Sequence, residues 1–204
     1  MKNLNSLILE IINGSMLDSN TFKSKKHEDK FEFFLRNNGY SKILKKDNLY
    51  DIIRNTNSLT NLPSLSGKYL FISQPFGSQR YPDFIVVVDG YVVWFELKRS
   101  KTDKITWNTG YPRHNIIYIF DSEKIGRVTF LGQHHPKHGN KEEENKEFDS
   151  LMKEHAELLS KSDPKYSHLV GTYYCRSMFG DMKESYNKSL LSESLINHIK
   201  KITE

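Results

Sequence analysis

The feature that most constrains the fold of this chain is an Asp-Gly pair set between two apolar runs. Residues 84–88 are all apolar, Asp89-Gly90 follows, and residues 91–95 are apolar again. Asp-Gly in this position is a strong signal of a two-residue hairpin turn in which both central residues have positive φ. Because both strands are apolar at successive positions, the hairpin is predicted to be central in a sheet and covered on both faces.

The predicted turn also decides which residues of the two strands face each other. With a two-residue turn Val88 faces Tyr91, and the same count places Asp83 opposite Glu96. Opposed residues have Cβ atoms about 4.5–5.5 Å apart, so two like charges there are destabilising unless a cation lies between them. Lys98 is two residues beyond Glu96 and points to the same face of the strand. We therefore expect Asp83, Glu96 and Lys98 to converge at the open end of the hairpin.

A pair of carboxylates with a lysine, and without nearby His or Cys, favours a hard cation. Oxygen ligands of this kind suit Mg²⁺ that is held partly by water and by a substrate phosphate. The lysine ammonium would orient or help to deprotonate an attacking water and stabilise charge on the phosphorus oxygens. The alternative is a surface hairpin whose end carries Asp83, Glu96 and Lys98 as a solvated salt-bridge set.

The remainder of the 204-residue chain predicts one domain in the order helix, sheet, helix. Residues 1–60 are expected to be mainly helical, residues 61–138 to form the sheet and its loops, and residues 139–204 to supply covering helices. Helical spacing of apolar residues indicates helices near residues 4–12, 31–35, 47–54, 142–161 and 190–202. Short β-rich runs indicate strands at residues 69–73, 83–89, 91–98, 115–120, 127–131 and 169–175, and residues 55–67 are expected to be a loop.

Composition excludes several classes of protein. No apolar run reaches the roughly 18–20 residues that span a bilayer, and residues 1–14 lack the features of a secretory signal. A cytoplasmic protein without a membrane partner is expected. Cys175 is the single cysteine, so an intramolecular disulfide is impossible, and we expect a small buried residue. The spacing of His134, His135 and His138 is not that of a helix-borne zinc pair, which argues against zinc and HNH-type sites.

The charge distribution favours a polyanionic partner. The formal net charge is +5, and residues 61–138 carry ten basic and six acidic side chains. The basic excess therefore lies in the same part of the chain as the predicted sheet, although a modest positive charge also serves solubility.

Pro82-Asp83, twelve further residues and then Glu96-Leu97-Lys98 resemble the PD-(D/E)XK nuclease motif. The resemblance implies that Asp83 and Glu96 are metal ligands, that the Leu97 carbonyl is a further ligand, and that Lys98 is the lysine of the motif. All four positions match residue by residue.

The wider stretch of residues 74–120 looks like a subset of type II restriction endonucleases and covers about a quarter of the chain. The resemblance implies an α/β fold with a central mixed β-sheet flanked by helices. It also implies Mg²⁺-dependent hydrolysis of double-stranded DNA without an organic cofactor. Commonly such an enzyme is a homodimer that cuts a palindromic site, one strand per subunit, because a two-fold axis relates both the subunits and the half-sites.

Many members of this family add a glutamate from the first core helix. Glu28 stands eleven residues before Gly39-Tyr40, the usual place in a helix that ends in Gly-Tyr, and is therefore also a candidate metal ligand. Glu32 is the competing candidate, because residues four apart share one face of a helix. The alternative is that both are solvated helix charges.

Candidate DNA contacts flank the motif on both sides. Gln79, Arg80, Lys101 and Lys104 are expected near phosphates, where basic residues would steepen the salt dependence of binding without reading sequence. The alternative for the two lysines is a solvated basic loop.

Other candidates carry the donors and acceptors that read base edges. They are Trp107, Asn108, Arg113, His114, Asn115, Gln133 and His134. The alternative is that Trp107 packs over the core, Asn108 caps a turn and Asn115 begins a strand.

Two other functions remain open at this point. One is a structure-selective repair or recombination nuclease of the same superfamily, and the other is a non-catalytic DNA-binding module whose hairpin carboxylates are structural. The first predicts cutting that depends on DNA shape, and the second predicts salt-sensitive binding without Mg²⁺-dependent cutting.

Overall fold

The computed structural model describes residues 3–14, 27–77, 80–102, 105–107, 112–134, 175–176 and 188–204. The helix expected at residues 142–161 lies outside these ranges, as do His135, His138 and nearly all of the strand expected at residues 169–175. Cys175 is described only through its backbone, so its burial stays a prediction.

Within the described ranges the chain forms four α-helices and nine strands. The helices are α1 (Leu4–Ile12), α2 (His27–Asn37), α3 (Tyr50–Arg54) and α4 (Lys188–Thr203). The strands are β1 (Ser41–Lys42), β2 (Thr60–Asn61), β3 (Tyr69–Ser73), β4 (Phe84–Val88), β5 (Tyr91–Ser100), β6 (Thr106–Trp107), β7 (Ile117–Ser122), β8 (Gly126–Leu131) and β9 (Cys175–Arg176). None of the helices in these ranges is long and apolar enough to cross a membrane.

Seven of the strands form one mixed sheet in the order β1-β3-β4-β5-β7-β8, with β2 pairing to β5. The pairs β1–β3 and β5–β7 are parallel, and the other pairs of this sheet are antiparallel. Helices flank the sheet, so the expected α/β fold with a central mixed sheet is confirmed. Strands β6 and β9 form a separate antiparallel pair.

The hairpin between β4 and β5 has the predicted turn and register. Asp89 has φ 47° and Gly90 has φ 89°, the positive pair that this two-residue turn requires. A Cβ atom at Gly90 would also lie only 3.1 Å from Asn61 Oδ1, so both the backbone conformation and the tight space favour glycine here. Val88 pairs with Tyr91, and the last pair of the ladder joins Phe84 to Phe95.

The two faces of the sheet are buried by different helices. One face packs against α1, α2 and α4, and its core includes Ile8, Phe31 and Leu195. The opposite face packs against α3 near β3 and β4, and a smaller cluster around Tyr118 covers it near β7 and β8. The central hairpin is therefore covered on both sides, as its continuous apolar strands predicted.

Two local expectations were wrong in detail. Helix α3 begins at Tyr50 rather than at residue 47, because Asp47 closes a turn with the backbone N–H of Leu44 and accepts from Tyr50 N. The loop expected at residues 55–67 contains strand β2 and a 3₁₀ turn at Pro63–Leu65, which are held to the sheet where Leu62 N donates to the carbonyl of Gly90.

Candidate active site

One row of side chains on β5 changes from apolar to charged where β4 ends. Val92, Trp94, Glu96 and Lys98 alternate onto the same face of the strand, and Val92 and Trp94 lie in its apolar layer. Glu96 is 7% exposed. The carboxylate of Glu96 is thus the next side chain after two apolar ones on this face. Burial of its charge is costly unless the charge is compensated.

Asp83 is held at the end of β4 from both neighbouring strands. Its carbonyl accepts a 2.7 Å hydrogen bond from Gln74 N. Its Oδ2 accepts a 2.7 Å bond from the backbone N–H of Leu97. Because the N–H and C=O of an extended residue point to the same side, the Leu97 carbonyl faces the side on which Asp83 lies.

Glu96 and Lys98 form a buried ion pair at this end of the strand. Lys98 Nζ lies 2.8 Å from Glu96 Oε1, and the two side chains are 15% and 9% exposed. The other oxygen, Glu96 Oε2, is buried without a hydrogen-bond partner in the described part of the chain. Among the described residues this buried acceptor therefore has no donor, which is rare and calls for a ligand or water.

The surroundings of Asp83 favour its neutral form in the absence of a cation. The pKa of the Asp83 carboxyl is raised to about 7, first by burial and then by the nearby Glu96 carboxylate. The hydrogen bond from Leu97 and the charge of Lys98 act in the opposite direction, and Glu28 raises the pKa of Asp83 further. One lysine thus does not neutralise this group of acids, so a divalent cation would find ligands of the right charge.

The two helix-borne glutamates lie in different surroundings. Phe31 of α2 packs against Phe84 and Phe95, with ring centroids 4.9 and 5.4 Å apart. These two phenylalanines are the sequence neighbours of Asp83 and Glu96. Glu28 is one turn earlier on α2, and its charge acts on Asp83.

Glu32 is engaged elsewhere, in ion pairs of 2.8 Å to Lys42 Nζ and 2.9 Å to Arg36 Nη2. Of the two glutamates, Glu28 is therefore the one whose charge acts on Asp83, whereas Glu32 is held by Lys42 and Arg36.

The donor set at the hairpin end fits Mg²⁺. Mg²⁺ is commonly bound through one or two carboxylates together with water and substrate phosphate. Asp83 and Glu96 supply two carboxylates, one of them with a buried free oxygen, and the Leu97 carbonyl points to the same side. Within the described ranges no three His, Cys, Asp or Glu side chains group closely enough to hold a metal, so Glu28 stands outside the Asp83–Glu96 pair.

The candidate phosphate contacts are only partly described. Arg80 and Lys101 are exposed and flank the hairpin end in the chain, whereas Gln79 and Lys104 lie outside the described residues. Asn108 also lies outside them. Trp107 belongs to β6 and is described through its backbone pairing with Cys175.

Arg113 is engaged inside the molecule. Its guanidinium lies over the Tyr81 ring at 4.1 Å from the centroid, and its backbone N–H donates to the Tyr118 hydroxyl over 2.9 Å. Tyr118 is in turn the register partner of Glu96 on β7. The conformation places Arg113 beside the candidate active site, packed on an aromatic ring rather than extended into solvent.

Asn115 and Gln133 bond to each other. Asn115 N donates to Gln133 Oε1 over 2.8 Å, and Gln133 Nε2 donates to Asn115 Oδ1 over 3.1 Å. This reciprocal pair ties the segment before β7 to the end of β8, which gives both amides a structural role in this conformation.

Two further candidates are histidines near the C-terminal helix. The His134 ring lies 5.8 Å from the His198 ring of α4. Burial lowers the pKa of His134, and the nearby His198 and His114 lower it further. His114 is exposed.

Sequence reasoning missed a charged cluster at the ends of β7 and β8. Asp121 Oδ1 lies 2.6 Å from Arg127 Nε, and Asp121 Oδ2 lies 3.2 Å from His27 Nε2. Burial lowers the pKa of His27, an effect that Asp121 partly offsets. The sequence signal that could have indicated this cluster is the opposite charge of Asp121 and Arg127. They are six residues apart, on either side of a short turn between two apolar strands.

No protein-family model, curated protein or solved structure matches this chain.

Proposed function

We propose that this chain is a Mg²⁺-dependent, site-specific endonuclease of double-stranded DNA, of the type II restriction class in the PD-(D/E)XK superfamily. The observation that carries the proposal is the convergence of Asp83, Glu96 and Lys98 at the end of an otherwise apolar hairpin. Lys98 Nζ is 2.8 Å from Glu96, and Glu96 Oε2 is buried without a partner among the described residues. A solvated salt-bridge set would not leave a buried carboxylate oxygen without a donor.

The proposed reaction is hydrolysis of one phosphodiester in each strand. A water oxygen bonds to phosphorus and loses a proton, one P–O bond to a sugar breaks, and the departing sugar oxygen takes up a proton, so that one water is added in total. Asp83, Glu96 and the Leu97 carbonyl would hold the metal, with the Glu28 carboxylate nearby. When bound, Mg²⁺ supplies charge stabilisation at the phosphoryl oxygens and a lowered pKa of water.

Lys98 has a separate part in this proposal. Its ammonium is fixed by Glu96, so it presents a positive charge at a constant place beside the metal ligands. From there it orients the attacking water and stabilises negative charge that develops on the phosphorus oxygens. A preorganised donor of this kind is more effective than a mobile surface lysine, because no reorganisation is needed during the reaction.

The proposed substrate also suggests duplex DNA as the binding partner and a homodimer as the oligomeric state. A duplex carries dense negative charge, and the basic excess of residues 61–138 suits it. A palindromic site presents the same surface twice about a two-fold axis, so we propose a homodimer in which each subunit cuts one strand. An enzyme acting on intracellular duplex DNA would work in the cytoplasm.

The proposal is tested by incubating the purified protein with an unmethylated, phage-sized duplex in Mg²⁺ or in EDTA. Discrete fragments that appear only with Mg²⁺ support it. Cutting confined to junctions or mismatches would replace it with a structure-selective nuclease. Salt-sensitive binding without any cutting would replace it with a DNA-binding module.

A further inference from the structure

A charged cavity lies at the same end of the sheet as the Asp83–Glu96–Lys98 trio. Its volume is about 430 Å³, and its charged and titratable lining consists of His27, Lys30, Arg99, Asp121, Glu123 and Arg127. Lys98 and Arg99 are consecutive on β5, so their side chains point to opposite faces of the strand. The cavity and the trio therefore lie on the two sides of one strand end.

The two acids of this cavity are already paired, whereas among its described cationic side chains Lys30 is not. Asp121 bonds to Arg127, and Glu123 Oε1 lies 3.3 Å from Arg99 Nη2. Lys30 has no ion pair or hydrogen bond within the described part of the chain. The described lining thus carries three permanent cations, Lys30, Arg99 and Arg127, against the two acids Asp121 and Glu123.

Arg127 supplies a second, independent indication of a ligand. Its side chain is only 10% exposed and lines the cavity. Its Nη1 is buried and has no hydrogen-bond partner among the described residues. A buried guanidinium donor without an acceptor is unusual, and an anion in the cavity would provide acceptors.

Helix α2 connects the cavity to the trio. His27 and Glu28 are its first two residues: His27 contacts Asp121 in the cavity lining, while the charge of Glu28 acts on Asp83.

We propose that this cavity binds a backbone phosphate of the duplex close to the phosphate that is cut, through Lys30, Arg99 and Arg127. The inference rests on the proposed nuclease function and adds a phosphate site to it. Each DNA strand carries one phosphate per roughly 3.4 Å of helix axis. A strand that reaches the trio therefore brings further phosphates to the other side of the same strand end.

The test compares Lys30→Ala with Lys68→Ala. Lys68 is an exposed lysine that precedes β3 at the turn end of the hairpin, where Asp89 N donates to its carbonyl. Both changes are made in a Lys98→Ala background so that a short fluorescent duplex stays intact in Mg²⁺. Affinity is measured as a function of salt, and inorganic phosphate is titrated in parallel by calorimetry.

We expect Lys30→Ala to lower the slope of log K against log salt by about 1, as loss of one phosphate contact does, and Lys68→Ala to keep the parent slope. Equal slopes for the two variants would overturn the inference. Inorganic phosphate binding that needs Lys30, with unchanged duplex binding, would also overturn it and indicate a site for free phosphate.

The readout separates this inference from the nuclease proposal. A wild-type protein that cuts no duplex, while Lys30→Ala still lowers the slope, would contradict the nuclease alone. Cutting by the wild-type protein with no effect of Lys30→Ala on the slope would contradict the phosphate site alone.

Discussion

Asp83 Oδ2 accepts a 2.7 Å hydrogen bond from the backbone N–H of Leu97, beyond the last backbone pair of β4 and β5. The Asp83 side chain thus accepts a hydrogen bond from β5 where the backbone pairing of the two strands has ended. This bond fixes the Asp83 carboxylate at the end of the sheet. The same bond fixes the direction of the Leu97 carbonyl. The geometry of the proposed metal site therefore follows from how the hairpin ends.

The first prediction concerns the titration of Asp83. Its pKa is raised from 3.8 to about 7 in the folded protein, so the folded state keeps a proton that the unfolded chain releases between these values. Without metal, the free energy of unfolding should fall as pH rises through this window. Asp83→Asn cannot titrate and should be more stable than the wild type above pH 7 by about 1–3 kcal/mol.

Urea unfolding in EDTA at several pH values measures this difference. Asp51→Asn changes an exposed aspartate of α3 and should keep the pH profile of the wild type. Parallel profiles for the wild type and Asp83→Asn would show that Asp83 is not the titrating group.

The second prediction concerns metal binding and pH. A cation that binds the folded state raises the midpoint of thermal unfolding, by an amount that grows with the ratio of its concentration to Kd. Because protons compete with Mg²⁺ for Asp83, the rise should be larger at about pH 8 than at about pH 5. Thermal scans with Mg²⁺ or EDTA check this, and an equal rise in Asp83→Asn would place the metal elsewhere.

The third prediction separates the two glutamates of α2. Glu28→Gln removes a charge that acts on Asp83 and should lower Mg²⁺-dependent cutting by about 10- to 100-fold, as loss of a group supporting a metal site does. Glu32→Gln removes one partner of the ion pairs with Lys42 and Arg36 and should change stability slightly while cutting stays near the wild-type rate. The cleavage rates of Glu28→Gln and Glu32→Gln test this prediction. A larger loss of cutting in Glu32→Gln than in Glu28→Gln would identify Glu32 as the functional acid.

Much of the central sheet could be predicted from the sequence because its signals are local. Asp89-Gly90 defines the turn, and counting from it gives the facing pairs of the hairpin, including Phe84 with Phe95. Alternation then places Glu96 and Lys98 on one face. These inferences need only neighbouring residues and a period of two.

The remaining features depend on contacts between distant parts of the chain. Glu28 and Glu32 share a helix face, and they are separated by distant contacts: the charge of Glu28 acts on Asp83, and Glu32 pairs with Lys42 of β1. Asn115 and Gln133 have the residue types of base readers, yet they are eighteen residues apart and bond to each other. No local pattern predicts such partners.

The most direct test of the proposed active site is the rate of Mg²⁺-dependent duplex cutting by Lys98→Ala, measured beside the wild type and Lys68→Ala at protein concentrations that give equal duplex binding. Loss of a preorganised charge beside the reacting phosphate should lower the rate by at least about 100-fold. Lys68→Ala should cut at the wild-type rate. Cutting by Lys98→Ala at a rate close to that of the wild type would contradict the assignment of the hairpin end as the active site.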